Sequence, residues 1–304
     1  MPKKGRKLSL LKIKKDKIAQ MITYFLLGPN SLEKRTPNQL REHYEVERKL
    51  ANRLLNASKE ERGLLYSTLY DELYRRVPNH PQLTRKESNI SYVSACRKMV
   101  LLRRFITSDY KFLEIGPGDC TLSFEVAKHV KKVYAIDVSE EITRTKESPQ
   151  NFELIISDGC DIPVPDNSID MAYSNNLMEH LHPEDALVQL KNIYKALNEG
   201  GKYLCITPNC LSGPHDISRY FSNKATGFHL KEYTVTELSQ LLQRVGFRQL
   251  HTYIGGDAIL MRFPMFSVEI CEKTIGLLPF LLRKRVSRML PFRVLLGITI
   301  LALK

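Results

Sequence analysis

A short turn with two glycines is the feature of this sequence that points most clearly to chemistry. Residues 113–118 read Leu-Glu-Ile-Gly-Pro-Gly and lie between an apolar run and a helix-like run. Gly116 and Gly118 remove side chains where a backbone must approach a ligand closely. The helix that begins near Thr121 offers unpaired N–H groups that suit a carboxylate. Asp137 follows Gly116 by 21 residues, about the interval that places an acid at ribose hydroxyls in a βαβ unit.

Two classes of ligand fit a glycine turn of this kind. A dinucleotide fingerprint needs a third glycine, and Thr121 occupies that position. Pro117 also removes one N–H from the turn, which a pyrophosphate would use, whereas S-adenosylmethionine has no phosphate. Glu114 adds a carboxylate close to where a cationic sulfonium and ammonium would lie. These residues favour S-adenosylmethionine over a dinucleotide.

Four histidines in predicted loops are candidates for proton transfer. In chain order they are His180, His182, His215 and His229, the last beside Glu232 and Tyr233. Histidine suits a general base near neutral pH. We select His180 and His229 as candidate catalytic residues. The alternative for each histidine is a structural role, as a loop anchor or as a helix cap.

Short apolar runs alternate with helical patterns through the middle of the chain. This alternation predicts an α/β fold, with a parallel sheet that helices cover on both faces. The strand candidates are Lys111–Ile115, Lys132–Ile136, Phe152–Ile156, Ile169–Ser174 and Lys202–Thr207. Two further strands, Phe247–Tyr253 and Ile298–Leu303, are expected to pair antiparallel at the sheet edge.

Additions flank this core on the N-terminal side and within its last part. We predict a basic N-terminal segment and helical cap over residues 1–108, and a core over residues 109–304. Residues 257–296 are expected to be a helical insertion that prolines break. Tyr66, Tyr70 and Tyr74 recur every four residues in the cap, and we interpret the row as a core stripe, with an acceptor pocket as the alternative.

Several segments within residues 105–253 resemble class I S-adenosylmethionine-dependent methyltransferases, with a fainter match in the last strand. The segments are FLEIGPGDCTLS, VYAIDVS, SDGCDIPVPDNSIDMAYSNNLMEHL and NEGGKYLCITPN. The resemblance is greatest to small-molecule methyltransferases of the ubiquinone and menaquinone biosynthesis type. It implies a Rossmann-like doubly wound sheet of seven strands in the order 3-2-1-4-5-7-6, with the last strand antiparallel.

The resemblance also implies roles for individual residues toward S-adenosylmethionine. Asp137 would bind the ribose, with Val138 beside it. Asp158 would contact the adenine amino group, Gly159 and Cys160 would lie beside the ring, and Asn175 would lie near the methionine moiety. From the residues alone, Asp158 can equally be a turn acid and Asn175 or its neighbour a loop amide.

The formal charge of +13 is concentrated near the two ends of the sequence. Residues 1–17 carry a net +7 and residues 262–304 a net +6, so the remainder sums to zero. An enzyme of nucleic acids more often carries a basic stripe across its catalytic domain, so nucleic acid is disfavoured as a partner. Residues 277–290 mix large apolar side chains with four cations, a composition that can lie in a membrane interface. Packing on the domain's own surface is the alternative.

The remaining composition bears on metal, compartment and membrane. Six scattered cysteines without a C-x-x-C pair disfavour disulfides and a zinc site, and the sequence offers no reason to propose a metal. We find no signal peptide and no apolar run of about 18 residues. A cytoplasmic protein is expected, with peripheral contact to a membrane surface as an open question.

These features together favour methyl transfer to a small-molecule or lipid-like acceptor, with oxygen as the expected methyl acceptor. One alternative is a non-catalytic scaffold that binds S-adenosylmethionine. The other is an RNA or protein methyltransferase that uses its basic ends as clamps.

Overall fold

The computed structural model describes residue 33 and residues 35–85, 90–139, 148–256 and 259–304. The basic segment over residues 1–17 lies outside the described residues. Contacts divide the chain into two units, residues 1–40 and residues 41–304. The sheet and the candidate site belong to the second unit, and the predicted domain boundary at residue 108 stays a prediction.

A single mixed sheet organises the second unit. Its eight described strands are β1 (Lys111–Ile115), β2 (Lys132–Asp137), β3 (Phe152–Ile156), β4 (Ile169–Asn175), β5 (Leu197–Thr207), β6 (Gln249–Gly256), β7 (Ile259–Phe263) and β8 (Ile298–Leu303). They lie in the order β3-β2-β1-β4-β5-β8-β6-β7. Strands β1 to β5 are parallel, and β8 runs antiparallel between β5 and β6. The predicted Rossmann-like α/β fold is confirmed, and the last strand lies between β5 and β6 as predicted.

Helices of the described residues precede, connect and follow these strands. They are α1 (Pro37–Asn56), α2 (Lys59–Arg76), α3 (Pro81–Arg85), α4 (Ile90–Leu102), α5 (Thr121–Ala127), α6 (Pro183–Ala196), α7 (Val235–Val245), α8 (Met265–Gly276), α9 (Phe280–Arg288) and α10 (Phe292–Leu295). Two apolar clusters cover the sheet. One includes Leu69 and Leu73 of α2, and the other includes Met99 and Leu102 of α4. Burial on both faces explains why the parallel strands read as apolar runs.

The eighth strand is the main departure from the predicted architecture. Residues 257–296 were expected to be helices, but Ile259–Phe263 forms β7 and pairs antiparallel with β6. Strand β6 therefore pairs with a neighbouring strand along both edges, β8 on one and β7 on the other. The run Ile-Leu-Met-Arg-Phe is short and mostly apolar, so its periodicity does not separate a strand from a buried helix. Helices α8, α9 and α10 follow it, as predicted for the rest of this segment.

The register of the parallel strands brings the candidate residues to one edge of the sheet. Ile115 of β1 lies opposite Ile136 of β2 and Ser174 of β4. The residues that follow these positions, Gly116, Asp137 and Asn175, therefore emerge side by side. This is the carboxyl edge, where ligands bind in open α/β sheets.

Candidate active site

The glycine turn after β1 forms one wall of a cavity at this carboxyl edge. Gly116 and Gly118 have φ angles of +69° and +59°, a region in which side chains are strained. A Cβ on Gly118 would meet no atom within 4 Å, so this residue faces open space. A Cβ on Gly116 would lie 3.1 Å from the Leu177 side chain. The turn therefore presents a bare backbone to the cavity, and its binding of a cofactor stays a prediction.

Asp137, at the end of β2, lies next to the glycine turn on the cavity wall, where the Gly118 backbone also contacts its carboxylate. Its Oδ1 accepts hydrogen bonds from the backbone N–H groups of Val138 at 2.7 Å and Ser139 at 3.4 Å. Burial raises the pKa of Asp137, and these N–H groups partly counteract the rise. The bonds hold the carboxylate at the wall, where it can accept from ribose hydroxyls.

Gly159 and Gln189 also line the cavity. Gly159 has a φ angle of +89°, and a Cβ there would lie 3.2 Å from Val138 and 3.3 Å from Tyr66. Gln189 donates to the Gly159 carbonyl at 2.5 Å, while its buried Oε1 has no partner among the described residues. An unsatisfied buried acceptor is costly, so Gln189 points to a ligand donor such as an amino group.

Gln189 was not selected from the sequence, although a signal was present. The residue lies on the buried face of α6 with Ala186, Leu190 and Ile193. A polar side chain on an apolar stripe needs a partner, and here that partner is the Gly159 carbonyl. The helical spacing therefore predicts that Gln189 is buried, but its partner can be identified only when the position of Gly159 is known.

Asp158 lies in a turn and not in the cavity wall that the described residues form. Its Oδ1 accepts from the backbone N–H groups of Cys160 and Asp161, both at 2.8 Å. Asp161 lines the cavity instead. The geometry matches the alternative of a turn acid, and a contact between Asp158 and adenine stays a prediction.

Glu114 and Asn175 are likewise placed beside the described cavity wall and not in it. The Glu114 carboxyl accepts from the Ser123 hydroxyl at 2.5 Å, and burial raises its pKa to about 7. It therefore joins β1 to α5 behind the turn. At the end of β4 the neighbour Asn176, with a φ angle of +54°, contributes to the wall. The described cavity wall thus includes five of the predicted cofactor-binding residues: Gly116, Gly118, Asp137, Val138 and Gly159.

His180 lines the cavity opposite the glycine turn. Its Nδ1 donates to the Phe228 carbonyl at 2.9 Å. Burial first, and then the neighbouring His229, lower the pKa of His180 to about 3. A base this weak takes a proton from a hydroxyl group poorly at neutral pH. His180 is therefore better suited to contact an acceptor than to deprotonate it.

His229 lies behind His180, with the two ring centroids 4.9 Å apart in an edge-to-face arrangement. Its Nδ1 donates to Glu232 Oε1 at 2.7 Å. Burial opposes protonation of His229, but Glu232 and Glu179 outweigh it and raise the pKa. His229 does not contribute to the cavity wall formed by described residues. The two candidate bases are thus adjacent, and only His180 faces the cavity.

The other two histidines have structural partners. His182 begins α6, and its ring accepts from the Glu184 N–H at 3.3 Å. The ring of His215 lies 3.0 Å from the Ser212 hydroxyl and 3.1 Å from the Asn209 carbonyl. Both arrangements match the structural alternative for these residues.

Helix α2 covers the cavity with Tyr66, Tyr70 and Tyr74. The core interpretation of this row is therefore incomplete, because the same rings pack on the core and line the site. A clamp holds the helix in place, since Arg62 contacts both oxygens of Asp185 at 2.7 and 2.8 Å. Tyr66 also donates to Asp185 at 2.9 Å.

Comparisons with known proteins agree with this geometry. Residues 113–205 match the model of a family described as "Methyltransferase domain". A Mycolicibacterium smegmatis protein named a "Probable S-adenosylmethionine-dependent methyltransferase" is 25% identical over 136 residues, 44% of this chain and 51% of that protein. An "Uncharacterized methyltransferase" of Staphylococcus carnosus is 26% identical over 133 residues, 43% of this chain and 63% of that protein. The chain thus spans about half to three fifths of the length of these relatives.

The fold is also similar to that of a solved structure. Haemonchus contortus phosphoethanolamine N-methyltransferase 2, in complex with S-adenosyl-L-methionine, superposes with a TM-score of 0.51 and 16% identity. The superposition covers 76% of this chain and 60% of that chain. The sheet order is that of a Rossmann-like α/β fold, and residues 113–205 within it are similar to a methyltransferase domain.

Proposed function

We propose that this protein transfers a methyl group from S-adenosylmethionine to a small-molecule or lipid-like acceptor, at an oxygen. The observation that carries the proposal is the single cavity that joins Gly118 and Asp137 to His180. Methyl transfer requires the methyl carbon and the nucleophile to be held about 3 Å apart in one enclosed site. We expect the cofactor to bind near Gly118 and Asp137 and the acceptor to bind near His180, within the same cavity.

The residues present fit the cofactor at three points. The Gly118 backbone faces open space and suits the methionine part. The Asp137 carboxylate suits the ribose hydroxyls, and the partnerless Gln189 oxygen suits the adenine amino group. S-adenosylmethionine supplies an already activated methyl group, so the chain mainly has to orient the two reactants.

The cover of the cavity favours a small or lipid-like acceptor. Tyr70 and Tyr74 face it from α2, and Leu177 and Leu181 contribute apolar surface. A covered, largely apolar pocket with a few polar groups is typical of small-molecule sites. The ubiquinone and menaquinone type of acceptor, a ring with a hydrocarbon tail, is the specific case that we propose.

An exposed apolar surface on the C-terminal helices supports a lipid-like acceptor. Leu277 and Leu281 are 87% and 80% exposed, and Arg283, Lys284 and Arg285 follow in α9. We propose that this surface, residues 277–290, contacts a membrane interface peripherally. No helix in the described ranges has both the length and the apolar character needed to cross a membrane.

Isotope-labelled donor and a cell extract test the proposed reaction. The protein should bind S-adenosylhomocysteine by calorimetry and should label a small, solvent-extractable acceptor. Cofactor binding without labelling in any extract would support the scaffold alternative. Label found only in RNA or protein would contradict the proposed acceptor class.

A further inference from the structure

We propose that Glu179, His180 and His229 bind a divalent transition-metal ion beside the cofactor cavity. Each residue offers one ligand atom, and these atoms all lie within 4.8 Å of one another. Two imidazoles and one carboxylate with open positions form a donor set that suits Zn²⁺ or Fe²⁺. Bonds from such ligands to a bound ion are usually about 2.0–2.2 Å long.

The outer hydrogen bonds of both histidines direct one ring nitrogen toward this point. The Nδ1 of His180 donates to the Phe228 carbonyl at 2.9 Å, and the Nδ1 of His229 donates to Glu232 at 2.7 Å. In the neutral form of each ring, the Nε2 atom then carries the lone pair that can bind a metal ion. Histidines that bind metals almost always give their other N–H to a carbonyl or carboxylate in this way.

Glu179 is held in the same manner. Its side chain is 1% exposed, and its Oε2 accepts from the Thr207 hydroxyl at 2.8 Å. Its backbone carbonyl accepts from the Lys231 N–H at 3.2 Å, which ties the turn after β4 to the segment that carries His229. The three ligands are thus fixed to one another by the fold.

A second cluster, formed by His43, Glu47 and His80, shows why the first is the better metal site. The groups of this cluster also lie within 4.8 Å of one another. His43 Nε2, however, already bonds Glu47 Oε1 at 2.7 Å, so one proton satisfies both ligand atoms. No such bond joins Glu179, His180 and His229 among the described residues.

His180 is the ligand that also lies on the cavity wall, so the proposed ion would lie next to the cavity. A cation there would take an oxygen ligand, such as the hydroxyl group of an acceptor, and would lower the pKa of that hydroxyl. This role rests on the proposed function, whereas the binding of the ion does not.

Calorimetric titration of the chelator-treated full chain with Zn²⁺ tests the site. We expect one ion per chain and a loss of affinity of more than 100-fold in Glu179→Gln and His229→Asn. Glu232→Gln keeps all three ligands and should weaken binding by roughly 10–100-fold. The control His251→Gln, on β6, and the second-cluster variant His43→Gln should bind Zn²⁺ as the unaltered chain does.

S-adenosylhomocysteine affinity, measured on the same samples, separates this inference from the proposed function. Retained cofactor affinity together with lost Zn²⁺ binding in Glu179→Gln would support the metal site in a folded protein. Unchanged Zn²⁺ affinity in both ligand variants would overturn it. Failure of the unaltered chain to bind Zn²⁺, Fe²⁺ or Mn²⁺ would also overturn it, whatever the cofactor result.

Discussion

At the scale of single residues, Glu114 helps to hold the glycine turn, and burial of its carboxyl group makes the stability of the protein depend on pH. Burial raises its carboxyl pKa to about 7, although the Ser123 hydroxyl donates to it. In the unfolded chain the same group titrates near 4.3, so it releases its proton at a lower pH there. The free energy of unfolding should therefore fall as the pH rises from about 4 to 7.

The variant Glu114→Gln should remove this pH dependence. Its amide keeps an acceptor for Ser123 and carries no charge, so we expect a gain in stability at pH 8 on the order of 2–3 kcal/mol and little change at pH 4. Urea unfolding at both values measures the effect. Glu199→Gln, at an exposed position, should change neither. A loss of stability at pH 8 would show that the charge of Glu114 has a stabilising partner.

Asp137 and Asp158 provide a second comparison at this scale. Asp137→Asn should weaken S-adenosylhomocysteine binding by roughly 1–3 kcal/mol, because ribose hydroxyls would lose a charged acceptor. Asp158→Asn should have little effect if the carboxylate only closes its turn with Cys160 and Asp161. Calorimetry on folded variants measures both. Equal losses in the two variants would restore the adenine role that the sequence motif implies for Asp158.

At the scale of elements, the clamp between α2 and α6 determines whether the cavity is covered. Arg62 and Tyr66 of α2 both bond Asp185, which is 1% exposed. Removal of one partner from a buried ion pair typically costs about 3–5 kcal/mol, and the bond from Arg62 to Glu184 at 2.8 Å should reduce this cost. Asp185→Asn should therefore destabilise the protein and speed amide exchange along Lys59–Arg76.

An exposed ion pair on the same helix is the control for this prediction. Glu72 bonds Arg53 and Arg76 at the surface, where such pairs contribute about 0–1 kcal/mol. Glu72→Gln should leave hydrogen exchange of α2 nearly unchanged. Equal exchange in the Asp185 and Glu72 variants would mean that apolar packing alone holds the helix over the site.

The same scale shows what could be predicted from the sequence and what could not. The parallel strands β1 to β4 were located within one residue, because burial on both faces leaves apolar runs between turn residues. Strand β7 was missed, since its run is too short to show a period. Asn176 was passed over in favour of Asn175, because a left-handed backbone at Asn176 decides which neighbour faces the cavity.

The proposed metal site could not be predicted from residue spacing either, because its ligands lie on two separate segments. Glu179 and His180 follow β4, whereas His229 lies far along the chain in a segment that precedes α7. Only the contact between these segments, through Phe228 and Lys231, brings the ligands together. A motif search recognises ligands that share one segment, and this set is divided between two.

At the scale of the whole molecule, the charge near the exposed C-terminal leucines bears on the membrane contact that we propose. The net +6 of residues 262–304 accompanies the exposed leucines of residues 277–290. Each cation near an anionic lipid surface contributes about 1 kcal/mol, and this attraction weakens with salt. Apolar insertion, in contrast, does not depend strongly on salt.

Vesicle sedimentation can separate these two contributions. The full chain should bind vesicles that contain phosphatidylserine, and binding should fall as the salt concentration rises. A combined Leu277→Ser and Leu281→Ser variant should bind at least about 10-fold more weakly, because each buried leucine contributes roughly 1 kcal/mol or more. Leu64→Ser, at a leucine 75% exposed on α2, is the matched control. Equal losses of binding in the control and the double variant would contradict the proposed contact surface. Normal binding of the double variant would also contradict it, because the vesicle contact would then not depend on Leu277 and Leu281.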